Sequence, residues 1–224
     1  MHVVVNAAMS ADGKLSTRRR EQVRISGPDD FARVDRLRAD SDAVVVGVGT
    51  VLADDPHLTV KAPELCERRL EAGEPSHPAR VVVDSKARTP TNAQVLDDAA
   101  TTYLLVSEAV SDDRRAALDR PTLEFVTAGI DRVDLREAFV ELERAGLERV
   151  MVEGGGELIF SLFAADLVDE LSVFVGSKII GGRNAPTLAD GDGFVGEFPE
   201  LDLERVERVD DGVVLVWHVR SDDA

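Results

Sequence analysis

Val150-Met151-Val152-Glu153-Gly154-Gly155-Gly156-Glu157-Leu158 is a buried-type strand that runs into three glycines and then into an apolar-periodic helix, read over Gly154–Ala165. A strand that feeds a helix through glycines is the repeating unit of an α/β sheet. Glycines let a backbone approach a phosphate closely, and the free N–H groups and dipole at a helix N-terminus favour an anion. The full dinucleotide fingerprint is absent, so the spacing indicates phosphate rather than a particular nucleotide, and a glycine turn without any ligand is the alternative.

Working outward, the same grammar recurs at Asp42–Val48, a continuous apolar strand followed by Gly47-Val48-Gly49-Thr50 and then Asp54-Asp55-Pro56. In an open α/β sheet, ligands sit outside the carboxyl ends of the strands, so both glycine loops are expected to face one cleft. Either Asp54 and Asp55 contribute to that cleft, or they cap a turn ahead of Pro56. A third glycine piece, Gly176-Ser177-Lys178-Ile179-Ile180-Gly181-Gly182-Arg183, reads as a lid or a loop. Arg18-Arg19-Arg20 is either a phosphate contact or a solvated face.

The remaining elements fit around these. His2–Ala8 is a first strand with Ser10-Ala11-Asp12-Gly13 as its turn, and Pro28 opens a helix that ends by Asp40. Further strands are predicted at Arg80–Asp84, Thr102–Val106, Leu123–Thr127 and Arg149–Val152, with helices at Asp112–Leu118 and Leu135–Ala145. Beyond Asp169, the strands Glu170–Val175, Asp202–Arg208 and Val213–Val219 have no helix between them, and Asp210-Asp211-Gly212 is a hairpin turn, which implies an antiparallel edge. Glu64–Pro78 reads as a polar surface loop. No domain boundary is found, so 1–224 is expected to be one domain of the α/β class, its mostly parallel sheet covered by helices on both faces.

Composition narrows the function. With 44% hydrophobic residues among 224, the chain can bury a core, and no stretch approaches the ~18 apolar residues of a membrane span. One cysteine, Cys66, permits no internal disulfide and fits a reducing cytoplasm. A net charge of −17 argues against nucleic acid as a partner. With only four lysines, Lys14, Lys61, Lys86 and Lys178, that acidity is what a cytoplasm at molar salt favours, so a halophile is expected, an ordinary acidic protein being the alternative. His2, His57, His77 and His218 share no pair at ligand spacing, so no metal is expected. Neither a Gly-x-Ser-x-Gly elbow nor a Walker lysine is present.

Taken together, Asn6–Lys14, Arg24-Ile25-Ser26, Leu37-Arg38-Ala39, Gly47–Val60, Val81–Ser85, Glu153–Leu158, Leu167–Glu170 and Lys178–Gly182 resemble the reductases of riboflavin biosynthesis, over nearly the whole chain. The resemblance implies a dihydrofolate-reductase-like fold, a homodimer and NADPH as cofactor. It also implies that Thr50, Asp54 and the turn and helix Gly155–Ser161, with Gly155, Gly156, Glu157 and Leu158 foremost, contact the cofactor. Ala8, Arg24, Val82, Val83, Asp84 and Ser85 contribute to its pocket. Arg38, Leu58, Lys61 and Glu153 match substrate-side positions. Arg24 stands where bacterial relatives often carry an aromatic residue, and Lys61 where arginine also occurs, keeping the charge without the bidentate fork.

Bacterial relatives are often fused to a zinc deaminase, whose His-x-Glu and Cys-x-x-Cys elements are absent here, so a stand-alone reductase of the archaeal type is expected. Its substrate would be 2,5-diamino-6-ribosylamino-4(3H)-pyrimidinone 5′-phosphate, reduced at the ribose to a ribitylamino product. The deaminated uracil analogue, dihydrofolate and a non-catalytic nucleotide-binding role are the alternatives. Asp54 and Glu153 are candidates for orienting hydroxyls or relaying a proton, with no general acid assigned.

Overall fold

The computed structural model describes residues 1–220. Nine strands form one sheet. In chain order they are β1 (His2–Ser10), β2 (Ala43–Gly47), β3 (Ala79–Val83), β4 (Thr102–Val106), β5 (Leu123–Thr127), β6 (Arg149–Val152), β7 (Glu170–Gly176), β8 (Leu201–Val209) and β9 (Gly212–Val219). Their spatial order is β5-β4-β3-β2-β6-β1-β7-β9-β8. The helices are α1 (Pro28–Ala39), α2 (Val48–Asp54), α3 (Pro63–Glu71), α4 (Asp112–Leu118), α5 (Leu135–Arg144) and α6 (Gly156–Ala164). The chain divides into two compact units, Asp35–Met151 with Met1, and His2–Val34 with the chain from Val152 onward.

In the first unit, β2, β3, β4 and β5 pair in parallel, with Val45 opposite Val81 and Val82 opposite Leu104. Strands β2, β3 and β4 are nearly continuous apolar runs because both their faces are covered, whereas β5 at the sheet edge is partly exposed. Val44, Val46, Val82, Leu104 and Val106 share a core with Val51 of α2 and Leu118 of α4. Two of its helices begin on side-chain caps. Ser111 accepts from Arg114 N–H and Asp134 from Glu137 N–H.

The expected loop at Glu64–Pro78 is a correction: its first half is α3. Pro63 stands at the first helical turn, Glu64 near the positive end and Arg68 and Arg69 in the last turn. Arg69 is buried, and its guanidinium donates to the carbonyls of Pro75, Ala39 and Ser41 at 2.8, 2.8 and 2.9 Å. That network pins a segment whose polarity reads as solvated.

In the second unit, β1 and β7 are parallel, and β7, β9 and β8 are antiparallel, with Phe174 opposite Val214. The antiparallel edge is therefore present, and the β8–β9 hairpin turns at Asp210-Asp211 with Asp210 at φ 49°. Its carboxylate does more than turn the chain. It accepts from the N–H groups of Gly27, Asp29 and Asp30 at 3.0–3.2 Å, and so caps the N-terminus of α1. A Cβ on Gly27 would stand 2.4 Å from that carboxyl carbon. Arg33 in the same helix bonds Asp30, Ser172 and Asn6, which gives the polar residue that interrupts the Val3–Val5 run a buried partner.

Candidate functional site

Two glycine-bearing strand ends carry the candidate chemistry, one in each unit. In the second unit β6 ends on half-buried Glu153, and Gly154 follows at φ 116°, a conformation that side-chain-bearing residues rarely adopt. The Gly154–Gly155 peptide is cis. Gly155 is then the extended N-cap of α6, and the N–H groups of Leu158 and Ile159 both donate to its carbonyl at 3.0 Å. The N–H groups of Gly156 and Glu157 have no backbone acceptor among the described residues. They are the donors a helix N-terminus offers to an anion.

The three glycines divide the labour. A Cβ at Gly156 would lie 2.5 Å from the Thr187 carbonyl oxygen and 2.8 Å from Asp190, so this glycine serves packing. The Asp190 N–H donates to the Gly156 carbonyl at 3.0 Å, and Asp190 also caps Thr187 through N–H and hydroxyl. Leu158 is buried, so its side chain belongs to the core. Glu157 is exposed, and its own charge occupies the positive end of the helix; only its N–H suits a phosphate.

On the first unit's strand end, the expected glycine loop is almost entirely helical: α2 begins at Val48, directly after β2, with Gly47 as N-cap. Gly49 is exposed and a Cβ there would meet nothing within 4 Å, which leaves room beside it. Thr50 is half-buried on this helix, and Asp54 is exposed at its last turn. Asp55 takes the capping role weighed for the pair. It closes α2 in the left-handed region, and its carboxylate accepts from Gln94 N–H at 2.8 Å.

Several expected ligand contacts are side chains the fold has already used. Leu58, at φ 54°, is 2% exposed in the core of this unit, so only its backbone is left for a substrate. Val82 is wholly buried and Val83 half-buried. Asp84 is also fully buried: one carboxylate oxygen accepts from Thr89 N–H and hydroxyl at 2.7 and 2.8 Å, and the other has no hydrogen-bond partner. Arg88 Nε lies 3.8 Å from that second oxygen. Asp84 therefore shapes the Ser85–Thr89 loop rather than reaching outward. Ser85 Oγ accepts from Val133 N–H at 3.0 Å. Lys86 remains exposed on the loop.

Arg38 donates to the Thr59 carbonyl at 3.0 Å, and the buried carboxylate of Asp35 holds the N–H groups of Lys61 and Ala62 at 2.8 Å, which leaves the Lys61 ammonium exposed. Asp35 and Asp190 are residues that sequence reading missed, and Asp84 and Asp210, read as a pocket residue and a turn residue, have backbone-holding roles it did not foresee. Their signal, a carboxylate reaching distant backbone N–H groups, exists only once the chain is folded. In the second unit Ala8 packs against Ile25, Phe174 and Val214, and Arg24 lies over the Phe31 ring at 5.6 Å.

One grouping escapes linear spacing. Glu170, Glu204 and His218 sit on neighbouring strands with ligand-type atoms within 4.8 Å of one another, and His218 Nε2 is 3.1 Å from Glu204. Glu204 and His218 are exposed and, among the described residues, no buried polar group converges on them, so a His–Glu contact between neighbouring strands accounts for the geometry.

The RibD C-terminal domain model matches residues 1–215. A 2,5-diamino-6-ribosylamino-4(3H)-pyrimidinone 5′-phosphate reductase of Archaeoglobus fulgidus is 46% identical over 94% of both chains. The reductase of the same name from Methanothermobacter thermautotrophicus is 42% identical over 98% of this chain and 99% of its own. Among solved structures, a pyrimidine reductase-like protein of Corynebacterium diphtheriae superposes with a TM-score of 0.80 at 18% identity, covering 99% of this chain and 92% of that one, so the two share the dihydrofolate-reductase-like sheet. With family and fold agreeing along nearly the whole length, the chain is an oxidoreductase of riboflavin biosynthesis and belongs to the RibD C-terminal domain family.

Proposed function

We propose that this enzyme reduces the ribose of 2,5-diamino-6-ribosylamino-4(3H)-pyrimidinone 5′-phosphate with NADPH. The observation that carries the substrate is the full-length similarity to two archaeal reductases named for it, at 46% and 42% identity. In the reaction the ribosylamine ring opens to an imine as its N–H proton passes to the ring oxygen, hydride adds to the former anomeric carbon, and a proton on the nitrogen completes the ribitylamino product. The nicotinamide, when bound, supplies the hydride. The protein's share is binding and orientation: the Gly156 and Glu157 N–H groups meet a pyrophosphate, and Lys61 and Arg38 suit the substrate phosphate. Thr50 and Asp54 complete the cofactor contacts, and Glu153 is the candidate for orienting ribose hydroxyls.

The glycine turn fits that cofactor. Gly154 holds a conformation suited to glycine, and the space beside Gly49 lets a ligand approach the backbone. Preference for NADPH over NADH is assigned to Lys86 and Arg88 on the loop that Asp84 shapes, where they would meet a 2′-phosphate. A homodimer in a cytoplasm at molar salt completes the reading, the salt supported by the net charge of −17. No helix among the described residues is long and apolar enough to cross a membrane.

The test is NADPH oxidation with the diamino substrate and its deaminated analogue in molar KCl. Higher kcat/KM for the diamino compound is expected, since a pocket built for a donor amine leaves polar groups unpaired against a carbonyl, at about 1–3 kcal/mol each. Faster turnover of the deaminated compound would reverse the substrate assignment, and equal kcat/KM with NADPH and NADH would remove the 2′-phosphate contact.

A further inference from the structure

The chain's cations are not spread evenly over its acidic background. Segments 14–24 and 178–183, 17 residues in all, hold seven of the 26 lysines and arginines and only one of the 43 acids, Glu21. Their net charge is +6, so the other 207 residues carry −23. The fold joins the two segments within the second unit. Ala11 N–H donates to the Lys178 carbonyl at 2.8 Å, the Lys178 ammonium reaches the Arg24 carbonyl, and a Cβ on Gly182 would stand 3.4 Å from Arg18 Cβ. The Asp12 carboxylate, between them, accepts from Ile180 and Gly181 N–H at 3.0 and 2.7 Å.

None of Lys14, Arg18, Arg19, Arg20, Arg24, Lys178 and Arg183 has a carboxylate within 4.0 Å among the described residues. Arg18, Arg19, Arg20, Arg24, Lys178 and Arg183 are exposed. Elsewhere among the described residues some arginines find acids, as Arg68 does with Asp40 and Arg205 with Glu207, and others, such as Arg36 and Arg208, stand without one but scattered among acids rather than clustered. Cations left unpaired together in so acidic a chain hold a local positive field. The patch is also tied to the glycine turn: Lys14 bridges Thr187, Leu15 N–H donates to the Pro186 carbonyl, and Asp190 N–H donates to the Gly156 carbonyl.

We infer that these cations form a contact surface for small phosphorylated ligands, which holds them by short-range ion pairs at molar salt and adds a longer-ranged steering field as salt falls. The inference rests on the proposed reading that cofactor and substrate are phosphorylated. A long polyanion fits less well, because beyond 17 residues it would meet the acids that carry the −23. A steering field acts on association and so on kcat/KM, and it fades as salt shortens the Debye length from ~10 Å at 0.1 M to ~3 Å at 1 M. It leaves kcat at saturation alone.

Inorganic tripolyphosphate is the probe, titrated at low salt into the intact protein, the R18Q/R19Q/R20Q variant, the R183Q variant and a control, R115Q/R144Q/R205Q, with the same net-charge change as the triple variant. Saturable binding by the parent is expected, weakened on the order of tenfold in the triple variant, less in R183Q and unchanged in the control. In turnover, kcat/KM of the triple variant should lose most of its fall with salt, with kcat unchanged. Parent-like binding by the triple variant, or an equal loss in the control, would overturn the inference. Tighter retention of a duplex DNA than of tripolyphosphate would overturn the small-ligand assignment. If neither pyrimidine is turned over while the triple variant still loses the probe, the patch stands and the reductase reading falls.

Discussion

Single carboxylates hold much of this backbone in place, and their substitution separates folding roles from ligand roles. Asp210 satisfies three N–H groups at the start of α1, so Asp210→Ala should cost about 1–2 kcal/mol in urea unfolding, with Asp210→Asn between the two. An Ala variant as stable as the parent would mean that water caps α1 equally well. The triple glycine offers a sharper contrast. Gly156→Ala drives a Cβ into the Thr187 carbonyl and should destabilise by about 1–3 kcal/mol. Gly155, at φ −85° in extended backbone, holds a conformation that any residue adopts. Gly155→Val should therefore stay folded and bind NADPH more weakly, because its side chain blocks approach to the α6 donors. NADPH titration checks this, and parent-like affinity in a folded Gly155→Val would remove the turn from the cofactor site.

Elements differ in how openly the sequence declares them. The strands Thr102–Val106, Leu123–Thr127 and Arg149–Val152 are legible to the residue because each is a short segment rich in β-branched, aromatic or other apolar residues and bounded by polar or turn residues. Helix α3 is not, since its few apolar positions and the Gly73, Pro75 and Pro78 that follow mask the Pro63, Glu64 and Arg68–Arg69 signals. What secures it is Arg69, whose three carbonyl acceptors come from residues that are distant or irregular in sequence. Arg69→Met should lose about 2–4 kcal/mol through those orphaned carbonyls. The site was legible to the same degree: the glycine strand ends could be found by pattern, whereas the burial of Leu58 and Asp84 depends on tertiary packing. The segment after β7 supplies an element-scale test. The Asp12 carboxyl is lowered to about 2, first by the Ser10 hydroxyl and then by the Ile180 and Gly181 N–H groups. A depressed carboxyl stabilises above its unfolded value and ceases to do so as pH falls through the folded one. The Ile180 and Gly181 amide resonances should accordingly titrate with a midpoint near 2, and a midpoint near the ordinary 3.8 would show that these bonds do not persist in solution.

At the scale of the whole molecule, the net charge of −17 sets two salt effects against each other. Salt weakens exposed ion pairs such as Arg220 with Glu200 and Asp202 or Arg68 with Asp40, but solvent already screens pairs of this kind, so each contributes little. It also screens repulsion among 43 acids that only 26 cations oppose. That term is summed over the whole surface and shrinks as the Debye length falls from ~10 Å at 0.1 M to ~3 Å at 1 M. Repulsion should dominate, so Tm at pH 7 is expected to rise with KCl through the molar range. A general salting-out effect would raise Tm as well, and pH distinguishes the two. Near pH 4.6, the sequence isoelectric point, the net charge vanishes and little repulsion remains to be screened. The KCl-induced gain in Tm should then be markedly smaller at pH 4.6 than at pH 7, measured calorimetrically on the same preparation. Equal gains at the two pH values would assign the stabilisation to solvent exclusion, and a Tm that falls with KCl at pH 7 would mean that the exposed ion pairs outweigh the repulsion.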